Sequence, residues 1–206
     1  MPGPQLQTQA FVLAKLPSGS DTFEQVTAFS AEHGLLHCLA RLPRGRSAAA
    51  AAPLDLGDET ELWLESSNQG RTWFVREHRL VRRHDGLGRS YPALRAAAAI
   101  GALVSRNPVP DESRAEIAAL LRSSLGALAE GGRPDIIWLK ALFRFLRDEG
   151  YPAKQQWWPR LPPEDRAAAT RLLNQPLAEQ TADAATVARL AASLEQWVQA
   201  ETELRL

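Results

Sequence analysis

The chain has 206 residues, with 24 Lys and Arg against 24 Asp and Glu. That length suits one large or two small domains able to bury a core, and a net charge of zero removes any global electrostatic case for a nucleic-acid partner. The single cysteine, Cys38, excludes an internal disulfide and a cysteine-based zinc ribbon, and no apolar run approaches the roughly 20 residues of a membrane-spanning helix.

In chain order, Met1 to Thr8 is polar and proline-containing, carries no signal-peptide pattern and reads as a frayed tail. Gln9 to Arg46 reads as a meander of three strands. Phe11, Leu13 and the stem of Lys15 share one face of the first strand, with Val12 and Ala14 on the other. Pro17 to Asp21 supplies a turn, Phe23 to Phe29 a second strand, Ala31 to Gly34 a second reversal, and Leu35 to Arg41 a third strand. Leu42 to Ala52 combines Pro43, Gly45, Arg44 and Arg46 with an alanine run too short for an isolated helix, and reads as a mobile basic loop. Pro53 to Ser66 and Thr72 to Arg83 read as a fourth and fifth strand joined by a tight turn at Ser67 to Gly70. Five short antiparallel strands in about 80 residues is the count of an OB-like or other small barrel.

After Gly86 and Gly88 the texture changes to alanine, leucine and arginine at helical spacing. Pro92 starts a helix to about Arg106, the neighbourhood of Asp111 caps a second, and Pro134 opens a third that ends at Gly150 with two apolar faces. Tyr151 to Leu161 reads as a loop whose Trp157 and Trp158 either cap the core or form an exposed patch. Helices follow from Pro162 and from Asp183. The expected fold is α+β: a five-stranded OB-like barrel over residues 1–85, then an all-helical domain over 86–206.

Two stretches carry candidate binding chemistry. From Arg71 to Arg95, seven arginines stand against Glu77 and Asp85, a local net of plus five. Lys15, Arg41, Arg44, Arg46, Arg71, Arg76, Arg79 and Arg82 are therefore candidates for a phosphate track, with Trp63 and Trp73 as bases' stacking partners. Strand alternation puts Arg76 and His78 on one face and Val75, Glu77, Arg79 and Val81 on the other. On the third helix, Lys140, Arg144 and Arg147 recur at i, i+4 and i+7 beside Leu139 and Phe143, a stripe suited to an acidic, apolar peptide tail.

Catalytic patterns are absent. There is no phosphate-binding glycine loop and no nucleophile elbow. His33 and His37 flank a strand start, where a four-residue spacing does not place two ligands together, so no metal or other cofactor is expected. Acid pairs such as Asp58 with Glu59 and Glu164 with Asp165 read as turn and helix-cap acids. An enzyme is not expected.

FVLAK at the start, the element Phe29, Ser30, Ala31, Glu32, His33, Gly34, an apolar strand running into arginines, and LFRFLRDEGYP at Leu142 to Pro152 together resemble the RecO family of bacterial recombination mediators. The resemblance implies an N-terminal OB-fold and a helical C-terminal domain, binding of single- and double-stranded DNA, strand annealing, a RecR partner and the tail of the single-stranded DNA-binding protein as a second partner; the expected cytoplasmic location comes from the missing signal-peptide pattern and membrane-length apolar run. Many members hold zinc through cysteine pairs after the "LGY" segment. Here that place reads Ala153 to Trp158 without cysteine, and the family's basic C-terminal segment is also missing. The alternative of a different class is a protein adaptor whose barrel is structural and whose helical domain binds a partner peptide; an uncharted hydrolase is a third.

Overall fold

The computed structural model describes residues 3–19, 21–42, 53–66 and 68–206. It is α+β, with five strands and six α-helices among those residues. The chain divides into two compact units, Met1–His84 with Pro110–Ala118, and Asp85–Val109 with Ala119–Leu206.

In the first unit, β1 (Gln5–Pro17), β2 (Phe23–Ser30), β3 (Gly34–Arg41), β4 (Glu59–Glu65) and β5 (Trp73–Arg82) are joined in the order β1-β2-β3-β5-β4, and β4 pairs back onto β1 to close the ring. All neighbours are antiparallel except β3 and β5, which run parallel at Cys38 with Trp73 and Leu39 with Phe74. Alternating small and branched residues fill the interior: Ala10, Val12, Val26, Ala28, Leu36, Cys38, Ala40, Leu62 and Leu64 form one core cluster. Each buried Val or Leu there contributes roughly 1.5–3 kcal/mol.

Two expectations for β1 are corrected. Gln5 to Thr8 is paired strand opposite Leu62 to Glu65, not a frayed tail, because β4 supplies its hydrogen-bonding partner. The register shifts between Val12 and Ala14, which breaks the strict alternation expected to place those two on one face: Val12 is in the barrel core with Ala10, and Ala14 is only half-buried, while Phe11 and Leu13 are buried outside that core cluster. The expected basic loop at Leu42 to Ala52 falls, apart from Leu42, outside the described residues.

The reversal between β2 and β3 is built by local polar groups. The buried Ser30 hydroxyl bonds Thr8 Oγ1 at 2.7 Å and accepts from the Glu32 and His33 amides at 3.1 and 3.4 Å. Gly34 has φ +68°, a conformation a side chain resists, and a Cβ there would lie 2.8 Å from Arg114 Nε. Arg114 donates to the Glu32 carbonyl at 3.1 Å and pairs with Asp111 at 2.5 Å, tying the 110–118 segment to this turn.

The second unit contains α1 (Tyr91–Arg106), the later part of α2 (Arg114–Ala129), α3 (Pro134–Asp148), α4 (Ala153–Gln156), α5 (Pro163–Asn174) and α6 (Ala184–Glu201). Ser90 caps α1 through the Ala93 amide, and Asp183 caps α6 through the Thr186 amide at 2.8 Å. Helix α3 packs against α1, α4, α5 and α6, which is why Ile136, Ile137, Leu139, Leu142, Phe145 and Leu146 are buried around it. The second helix starts later than expected, at Arg114, because Asp111–Ser113 forms a 3-10 turn first. The segment expected as a loop after Tyr151 instead forms α4 and a 3-10 turn at Trp158–Arg160. Trp157 drives this: it is buried, its Nε1 donates to Ser193 Oγ at 3.0 Å, and its ring meets Phe143 and Trp158 at centroid distances of 6.1 and 6.0 Å.

Candidate nucleic-acid interface

With even-numbered residues of β2 and β3 facing the barrel core, the odd-numbered ones face the other way, where Gln25, His37 and Arg41 are exposed and Phe29 is buried. Phe23 on β2 stands opposite Arg41 on β3, Leu39 on β3 is level with Phe74 on β5, and Phe74 is opposite Glu65 on β4. The half-buried rings of Phe23 and Phe74 meet edge to face at 5.9 Å. Further round, Trp63 is opposite Gln7 on β1, and a cavity of about 350 Å³ is lined by Gln5, Gln7, Trp63, Glu65 and Arg76. Phe23 on β2 and Phe74 on β5 thus meet across β3 near Arg41, and Trp63 on β4 stands separately beside Arg76.

The candidate cations behave in three ways. Lys15 donates to the Leu54 carbonyl at 2.5 Å and pairs with Glu24 at 3.2 Å; Arg76 pairs with Glu65 at 2.6 Å and Arg79 with Glu61 at 2.5 Å. Hydrogen bonds from Gln7 first and Arg79 second hold the Glu61 carboxyl below the usual carboxylate range. Arg41, Arg71 and Arg82 are exposed and make no side-chain ion pair among the described residues. Arg44 and Arg46 lie outside the described residues. The expected split of Arg76 and Arg79 between faces is corrected: the register shifts opposite Trp63 and Leu64, leaving Arg76 in the irregular step, and both arginines reach carboxylates on alternate residues of β4. Trp73, expected as a stacking partner, packs against the barrel core, because it is level with Cys38.

In the helical unit, Lys140, Phe143, Arg144 and Arg147 line one cavity of about 340 Å³, together with Leu120, Ile137 and Leu177. Leu139 is not among them; it is 1% exposed, in the core. Lys140 Nζ donates to the Gln175 carbonyl at 2.6 Å, and burial lowers its pKa. Arg144 and Arg147 both reach Asp148, at 3.3 and 2.7 Å.

His33 and His37 are exposed, in the turn and on the outer strand surface, and among the described residues no three metal-ligating side chains converge. No helix of the described residues is long and apolar enough to cross a membrane. Phe23 and Phe74 were not legible as a pair, since their contact needs the parallel join of β3 to β5; an aromatic at or next to the start of a strand was the available signal.

No family model matches the chain, and no curated protein matches it. Among solved structures, similarity is found to a chain of a replication protein A heterotrimer bound to single-stranded DNA, at 16% identity, over 46% of this chain and 68% of that chain, with a TM-score of 0.28. A superposition that loose carries no weight for fold or function.

Proposed function

We propose that this protein is a non-catalytic, RecO-like mediator that binds DNA without sequence preference, promotes annealing and recruits partners through its helical unit. The observation that carries this reading is the Phe23–Phe74 ring pair on the outer barrel surface, formed across β3 and next to Arg41, with Trp63 beside Arg76 further round on β4. Bases of any identity stack on such rings, and arginines at their margin meet the phosphates. The strand order β1-β2-β3-β5-β4, with β3 and β5 parallel, supports an OB-like barrel as the carrier.

Because Arg76 and Arg79 already hold carboxylates, stacking supplies more of the affinity than phosphate neutralisation does, so single strands bind more tightly than duplex. The cavity at Lys140, Phe143, Arg144 and Arg147 suits the acidic, apolar tail of the single-stranded DNA-binding protein, and RecR is the second expected partner. In place of the zinc site of many RecO proteins, the packing of Trp157 with Phe143 and Trp158 holds the segment after α3.

Fluorescence anisotropy with a labelled thymidine oligonucleotide tests the reading. Phe23→Ala with Phe74→Ala weakens binding by an amount set by roughly 1–3 kcal/mol per lost stack, with the fold checked by circular dichroism. Absence of wild-type binding at low salt defeats the DNA reading and favours the adaptor, which the ion pairs at Lys15, Arg76 and Arg79 also favour.

A further inference from the structure

We propose that a second copy of this chain docks on the groove formed by α1, the start of α3 and α6, giving a two-fold symmetric dimer. The groove has a volume of about 500 Å³; alanines of α1 and α6, including Ala99, Ala188 and Ala192, form much of its lining, and the rings of Tyr91 and Trp138 stand beside them. Small side chains leave room for another protein's backbone to come close. Tyr91 and Leu94, 75% and 38% exposed, are the large apolar side chains that the described part of the helical unit leaves in water, and Tyr91, at the start of α1, lines this groove. A projecting aromatic ring, Tyr91, and an alanine-lined groove thus occupy one surface, which is what an isologous contact requires, since each copy must offer both halves of the fit.

Charge selects a like partner over an unrelated one. Arg95 lines the groove, is exposed and makes no ion pair or hydrogen bond among the described residues. Asp135 and Glu195 line it too, yet Arg95 reaches neither: Asp135 is held by Arg133 at 2.6 Å, and Glu195 accepts from Trp138 Nε1 at 2.6 Å through one oxygen only. Opposite charges that share a groove without meeting inside one chain can meet across a two-fold axis, Arg95 of each copy against Glu195 of the other. Burying Tyr91 and the exposed part of Trp138 supplies the apolar part of the association.

Sedimentation velocity on the full chain over a concentration series tests this. The expected result is a monomer–dimer equilibrium that Ala192→Arg, at an exposed position, abolishes without changing the circular dichroism spectrum or melting temperature. Arg95→Glu raises the dimer dissociation constant by roughly tenfold or more, and Arg95→Glu with Glu195→Lys restores it towards wild type. A wild-type chain that stays monomeric at every concentration, including one that binds only an unrelated partner, overturns the proposal, as does a dimer unaffected by Ala192→Arg.

Discussion

Asp58 shows how a single residue can be read correctly in kind and wrongly in weight. Beside Glu59 it reads as a turn acid, and its oxygens do accept the Asp55 amide at 2.8 Å. It is also 1% exposed and receives Arg83 through Nε at 3.0 Å and Nη2 at 2.6 Å, while Arg83 donates a further bond to the Pro53 carbonyl. Asp58→Ala removes the buried carboxylate that pairs with Arg83, so the denaturation midpoint should fall by the equivalent of about 3 kcal/mol; a loss near zero in a guanidinium chloride titration contradicts this account. Cys38 was legible as a buried apolar residue, and burial pushes its thiol up to about 12. The folded protein should leave a disulfide reagent unreacted at pH 8, with reaction only on unfolding. Because the folded value lies above the unfolded one, the stability gained from the neutral thiol is complete below about pH 9 and is lost as pH rises towards 12.

Elements were the most legible scale. Strand and helix periods follow from which residues must face a core, so five strands and the main helices stand near their expected places. What failed was local: the shift in β1 at Val12 and the short α4, both dictated by neighbours distant in sequence. The joint between α5 and α6 is equally hidden. Glu164 and Asp165 read as cap acids, but Asp165 receives Arg189 of α6 through Nη2 at 2.6 Å and Nε at 3.2 Å. Those hydrogen bonds, more than Arg189's charge, hold the Asp165 carboxyl below its usual range against the opposing effect of burial. A lowered folded pKa means stability that is present above the ordinary carboxylate range and lost as pH falls through it. Asp165→Asn should therefore flatten the acid limb of the melting-temperature curve; an unchanged limb means the pair contributes nothing to folding.

At the scale of the whole molecule, zero net charge leaves nucleic-acid binding to depend on which cations lack carboxylate partners. Of the eight barrel candidates, Arg41, Arg71 and Arg82 qualify among the described residues. With these three, or five if Arg44 and Arg46 also act, the logarithm of affinity for a single strand should fall with the logarithm of salt with a slope between about −2 and −4. A slope near −6, the value for all eight candidates, would mean that Lys15, Arg76 and Arg79 abandon their acids on binding.

The sequence by itself determined the α+β class, the change from strand to helix near residue 85, the glycine at the β2–β3 reversal and the cationic stripe of α3, because each depends on spacing along one segment. Only the tertiary structure decided which arginines are already paired, that Phe23 meets Phe74, and that Leu139 leaves the stripe for the core. Those outcomes depend on strand register and ring closure, which bring together residues tens of positions apart and have no signature in local periodicity.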